Sequence, residues 1–390
     1  MTACAIEACA IEAAAQDGAA AGGTRFAVAA DGSYAARLAG RGEALFPERW
    51  TLDGPEPYAV PLPLDQPEDP DAQLLPLVDG RVLIARRVAG RHTFSLLYPT
   101  GPETGELPLG AVEAESVRLL PPAPDGTGAY ALAVGARSTA VWRVAGGADG
   151  PEHVAEVRGR CSGGVWLDRQ GRLLALDREA DGGPVKTVAV DLARSGEVTP
   201  LLQIAEDSRD RLLLADLDSG LLLIGSDAPS PGRERLGWGV LGSARPVRFP
   251  ECLRSADGVL TPFAVQPGQV LTPETCAVAF RVDAAAGSWV GVWRPAARRL
   301  LHLPAPDGWL AGAGLWTRDG VLLLPYAHAS APCGLARVEG AAEALVPVAD
   351  TTPAQAEPAG GEPSGRSGTP VVCRPVPLQQ APLTGRPVPG

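Results

Sequence analysis

A chain of 390 residues with a net charge of −11 is poorly suited to a nucleic acid or an anionic membrane, since both need a basic surface. Its 45% apolar residues suffice for a large core built mainly of Leu, Val and Ala, yet no window approaches the 18 or more apolar residues of a membrane helix. Lys186 is the only lysine and asparagine is absent, a bias that points to a GC-rich bacterial genome rather than to a mechanism.

The chain opens on a tandem duplication, ACAIE at 3–7 and again at 8–12. It has no basic n-region, and Glu7 and Glu12 interrupt its apolar stretch, so it is a poor signal peptide. Residues 1–22 read as an N-terminal extension, helical or disordered. Seven scattered cysteines with no C-x-x-C pair fit reduced thiols in a cytoplasm better than a disulfide framework or a zinc site.

From Gly23 onward, short strands alternate with Gly, Pro and Asp clusters. Gly32, Gly80, Gly126, Gly171, Gly220, Gly268 and Gly320 each follow an apolar run, at intervals of 45 to 52 residues. Asp31, Asp79, Asp125 and Asp319 immediately precede four of them. A fixed period of this size marks a repeat architecture. The clearest unit, 163–204, reads GGVWLD, a turn, LLALDR, a loop, VKTVAVDL, a turn and VTPLLQI, which is four strands. Further copies occupy 24–64, 72–110, 116–157, 211–249, 260–303 and 311–350, the last ending on a strand ALVPVAD. Residues 351–370 have the composition of a flexible linker, and the 371–390 tail carries PVVCRPVPLQQ as a candidate edge strand.

Seven units of four antiparallel strands predict an all-β fold, a seven-bladed β-propeller over 23–350. One blade cannot bury either apolar face alone, whereas a closed ring buries both. The Asp-Gly turn between first and second strands, with Trp142 in TAVWRV and Trp293 in VGVWRP near the end of third strands, resembles the WD-repeat and TolB-like propellers. The chain departs from the WD pattern in having neither a Trp-Asp dipeptide nor a Gly-His pair. The resemblance implies a ligand or protein platform, hence binding rather than chemistry.

Catalytic signatures are sparse. No G-x-S-x-G elbow occurs, and GRCSGG at 159–164 opens a strand rather than a helix. The four histidines, His92, His153, His302 and His328, have no metal-ligand spacing. Lack of Asn rules out the Glu, Asp and Asn calcium set of some propeller lactonases, while a site of Asp and Glu alone stays open. The tryptophans in strands read as core, and Cys161 beside Arg160 offers only thin support for a reactive thiol. No cofactor is called for.

Topology supplies the site expectation. Loops joining one blade's outer strand to the next blade's inner strand gather on one face around the channel, opposite the Asp-Gly turns. Their sequences nominate Arg160, Ser162, Glu206, Asp207, Arg209, Asp210, Arg254 and Asp257 as a channel-mouth binding site. Together with Glu251 they would form a net acidic mouth favouring a small cationic or zwitterionic ligand or a protein partner. The leading function is a non-catalytic binding platform. The alternatives are a propeller enzyme, a metal-assisted hydrolase or lyase with an acidic site at the mouth, and an interaction subunit of a larger assembly.

Overall fold

Alternating or continuous Val, Leu and Ala runs with Gly-containing turns leave the backbone one economical solution, the antiparallel hairpin. A computed structural model of the chain describes residues 26–42, 44–254 and 258–345. The expectations for 1–22, 351–370 and 371–390 lie outside the described residues. Among those described, structure is almost entirely strand, with four 3-10 turns of three residues each.

Six sheets follow one another along the chain. The first comprises β1–β4 (Ala27–Val28, Tyr34–Arg41, Ala44–Thr51, Tyr58–Pro61) and the second β5–β8 (Gln73–Pro76, Val82–Val88, Arg91–Pro99, Thr104–Glu113). The third holds β9–β12 (Ser116–Leu119, Ala129–Val134, Ser138–Ala145, Glu152–Arg158). The fourth is seven-stranded, β13–β19 (Arg160–Trp166, Leu173–Glu179, Lys186–Asp191, Glu197–Leu202, Asp210–Ala215, Leu221–Ser226, Arg235–Val240). The fifth contains β20–β23 (Gly258–Val265, Val278–Ala284, Gly287–Trp293, Leu301–Leu303), and the sixth β24–β26 (Leu315–Trp316, Leu322–His328, Ala331–Val338).

Pairing within sheets is antiparallel between consecutive strands. The exception is one parallel pair, Lys186 of β15 opposite Asp210 of β17, which joins two antiparallel halves of the fourth sheet. First strands of neighbouring sheets touch one another, β1 with β5, β5 with β9 and β20 with β24, so they line the axis of a β-propeller.

The core lies between sheets. One cluster joins the second and third sheets through Leu83, Phe94, Val117 and Val144, and another sets Leu132 and Val157 against Trp166 and Leu176. A third cluster packs Leu212 and Ile224 against Leu167 and Ala175, across the two halves of the fourth sheet. Ring closure is made by side chains. Trp50 is fully buried against Phe26, and with Ala35 and Leu52 it packs with Leu310 and Leu315 near the sixth sheet.

Six of the seven glycines of the sequence period lie between the first and second strands of a sheet and Gly220 lies between β17 and β18 of the fourth, all with φ from 64° to 84°. The Asp residues before them act locally. Asp31 accepts from the Ser33 N–H at 3.0 Å, Asp79 from Arg81 at 3.0 Å and Asp125 from Thr127 at 3.1 Å, which fixes each turn. Gly268, rather than Gly258, is the turn of its unit, because Gly258 begins β20.

Among the described residues the sixth sheet has three strands. The expected fourth strand, ALVPVAD at 344–350, lies outside the described residues except for Ala344 and Leu345. Gly340 turns the chain at φ 70°, Glu343–Leu345 is a 3-10 turn, and Ala341, Ala342 and Leu345 sink into the core against Trp316 and Val292. The count of blades differs from the plain expectation of seven separate four-stranded sheets, because a single parallel pair merges β13–β16 with β17–β19.

Candidate functional site on the connecting-loop face

Successive antiparallel strands turn on alternate ends. The turns after first strands therefore share one face, and the turns after second strands share the other with the connections between blades. Acids on that second face were expected to converge around the channel. Several are instead spent on internal ties. Arg86 holds Glu68 of the 62–72 connection by two bonds of 2.8 Å and reaches Glu106 at 2.6 Å. Arg235 holds Glu251 at 2.9 Å.

Asp210 is the most complete case, with no exposed surface. Its carboxylate accepts from Lys186 Nζ at 2.8 Å, Ser226 Oγ at 2.6 Å, the Ile204 N–H at 2.9 Å and Ser208 Oγ at 2.9 Å. Burial alone would raise this carboxyl, but those four donors outweigh it and hold Asp210 below the ordinary carboxylate range. It is a structural clasp. Asp210, nominated from the sequence for the channel mouth, thus has no exposed surface to offer a ligand.

Other nominated residues are dispersed. Glu206, Asp207 and Arg209 are exposed on the 203–209 connection, and the Arg209 N–H donates to Asp227 at 2.7 Å. Ser162 sits inside β13 opposite Asp177, at a bulge. Arg254 stands 3.6 Å from Glu251, and Asp257 lies outside the described residues. No hydrogen bond or ion pair among the described residues links Arg160, the 206–210 segment and Arg254 to one another.

Arg160 belongs to a different feature. An open cleft of about 790 Å³ lies on this face between the third and fourth sheets. Three short segments line it: 136–138 after β10, 156–160 at the β12–β13 junction without Val157, and 179–182 at the end of β14 without Ala180. The sequence suggested a seven-residue connection at 158–164, whereas both strands run on until only Gly159 separates them. Gly159 has φ 101°, and a Cβ there would stand 2.5 Å from the Glu179 carbonyl oxygen, so glycine is required at the cleft floor. Thr139 pins the floor, donating to the Gly159 carbonyl at 3.0 Å and accepting from the Cys161 N–H at 2.9 Å.

Charge at the cleft is left unpaired. Ser138 Oγ donates to Glu156 at 2.6 Å. Arg137, Arg158, Arg160, Glu179 and Asp181 are exposed, and none makes an ion pair among the described residues, although Arg160 stands opposite Glu179 in the ladder. Sequence reasoning found Arg160 but missed its companions. Arg137 and Asp181 lie in turns after second strands, Glu179 ends β14 and Arg158 ends β12.

Elsewhere the chemistry is quiet. Burial pushes the Cys161 thiol up to about 11 despite Arg160 beside it, Cys276 to about 12 and Cys333 to about 11. His92 is buried with Nε2 unpartnered, and burial, then Arg87, keep its imidazole below the usual value. Among the described residues no group of three or more His, Cys, Asp or Glu side chains converges as metal ligands would.

No protein-family model and no curated protein sequence matches the chain. Solved structures do resemble it. Prolyl oligopeptidase B of Galerina marginata matches at 13% identity with a TM-score of 0.52, over 80% of this chain and 48% of that one. The propeller domain of the Trilobed protease of Pyrococcus furiosus matches at 11% and 0.49, over 82% and 96%. A TolB-type protein of Agrobacterium tumefaciens matches at 14% and 0.41, over 58% and 79%. The chain thus spans about half the length of the oligopeptidase it matches. At these identities the likeness is one of fold, a β-propeller.

Proposed function

We propose that this chain is a non-catalytic β-propeller platform that holds a small molecule, or a short segment of a partner protein, in the cleft between the third and fourth sheets. The cleft itself carries the reading. Its volume of about 790 Å³ falls within the roughly 300–1,000 Å³ of small-ligand sites, and five of its six charged side chains, all but Glu156, make no hydrogen bond or ion pair among the described residues. On the same face Glu68, Asp210 and Glu251 are already held by Arg86, Lys186 and Arg235.

In this reading the ring has seven blades, with β13–β16 and β17–β19 counted separately. Support comes from the core. The cluster of Leu212 and Ile224 against Leu167 and Ala175 has the same make-up as those between the other sheets, and a single parallel pair is a weak reason to merge two blades.

A thermal-shift screen of small charged molecules tests the site, using the wild type and Ala136→Trp. Ala136 is an exposed lining residue, so a bulky indole there would obstruct the cleft without touching the core. A ligand of the native state raises the melting temperature. The reading requires a shift in the wild type that disappears in Ala136→Trp, and a shift unchanged in that variant places the site elsewhere.

A further inference from the structure

The two walls of the cleft differ in sign. The third sheet contributes Arg137 and Arg158, with its one acid, Glu156, hydrogen-bonded to Ser138 on the same wall. The fourth sheet contributes Glu179 and Asp181, with Arg160 beside the Gly159 seam. One wall is net positive and the other net negative, while the whole lining carries three cations and three anions. A purely anionic ligand attracted to Arg137 and Arg158 meets repulsion from Glu179 and Asp181. A purely cationic one meets three guanidiniums. Only a ligand carrying both signs, separated along its length, satisfies both walls at once.

Resting on the cleft reading above, we infer that the ligand is a zwitterion of short-peptide size, its carboxylate held by Arg137 and Arg158 and its ammonium by Glu179 and Asp181. Guanidinium groups suit the carboxylate end, because their planar fork matches two oxygens. Carboxylates suit the ammonium, a compact cation with three donors. The volume favours an extended zwitterion over a free amino acid, because it far exceeds what a single residue fills. Gly159 lets the β12–β13 junction lie close against Glu179, which brings the two walls to one seam.

Isothermal titration calorimetry with trialanine, N-acetyl-trialanine and trialanine amide tests the assignment, alongside inorganic phosphate and spermidine as single-sign probes. Trialanine should bind, and blocking either end should weaken it at least about tenfold. In Arg137→Gln/Arg158→Gln the penalty for amidation should vanish while that for acetylation remains. In Glu179→Gln/Asp181→Asn the converse should hold, and Asn is chosen because Asp181 has φ 52°. The assignment is overturned if trialanine does not bind, or if either blocked form binds as well as the free peptide. Phosphate or spermidine binding that Ala136→Trp abolishes, without trialanine binding, keeps the cleft and rejects the zwitterion. Trialanine binding unchanged in Ala136→Trp rejects the cleft itself.

Discussion

Lys186 Nζ stands 2.8 Å from the buried carboxylate of Asp210, and this ion pair spans the one parallel strand pairing of the fourth sheet. The sole lysine of the chain thus fastens the 203–209 connection to β15, and it also donates to the carbonyl of Ala205 and to Ser208. Removing one partner of a buried pair strands the other, a loss of about 3–5 kcal/mol. Asp210→Ala should therefore lower unfolding stability by about that much in urea denaturation. Lys186→Met should cost less, because Asp210 keeps Ser208, Ser226 and the Ile204 N–H. A change below about 0.5 kcal/mol for Asp210→Ala would remove the clasp from the account.

Two buried carboxylates give opposite pH dependences. Asp210 is held below its ordinary value, so its contribution is present above the unfolded pKa of about 3.9 and is lost as pH falls through the lower folded value. Asp177 is raised by burial, which outweighs its bonds from Thr187 Oγ1 and the Leu212 N–H. Its contribution is present at low pH and is lost as pH rises through the raised folded value. Asp177→Asn keeps an acceptor but no charge. Relative to wild type it should gain stability as pH rises from 4 toward neutrality, read from urea midpoints at several pH values. A variant whose difference from wild type is independent of pH would contradict this.

Thiol chemistry should be suppressed in the native state. With Cys161 and Cys333 raised to about 11, Cys276 to about 12 and Cys252 also raised by burial, little thiolate exists at neutral pH. Peptide mapping after a short iodoacetamide exposure at pH 7.5 should find these four largely unmodified, then reactive once the chain is unfolded. Fast native labelling of Cys161 would show that Arg160 does activate it.

Ring closure rests on Trp50. It is fully buried, its Nε1–H donates to Glu48 at 3.0 Å, and its ring meets Phe26 edge-on at 5.0 Å. Trp50→Ala should cost about 3–5 kcal/mol and leave a cavity between the first and sixth sheets. Trp142→Ala removes a half-buried ring from an outer position beside His153 and should cost clearly less. Equal losses in denaturant melts would deny Trp50 its special place.

The sequence period was legible because each unit needs the same tight turn, and Gly32 through Gly320 supply it with one backbone geometry. Strand content was legible for the same reason: apolar runs and turn residues agree locally. The site was less so. Period and topology assign loops such as 203–211 to the connecting-loop face, but they do not reveal which charges pair internally. Asp210 and Glu206 look alike in EDSRD, yet one is a buried clasp and the other is exposed, because only one has Lys186 across the sheet. Arg137 and Asp181 lie in turns after second strands and Glu179 ends one, far apart in sequence, and only the packing of neighbouring sheets brings them to one cleft. Likewise, Ala341 and Leu345 could not be told from strand residues until their burial between sheets was seen.

Amide hydrogen exchange, with and without a saturating amount of the molecule giving the largest thermal shift, addresses the cleft most directly. The account predicts added protection confined to 136–138, 156–160 and 179–182, the segments that line it. Protection that appears instead on 203–211 or 250–254, with the cleft segments unchanged, would contradict the account and return the site to the channel mouth.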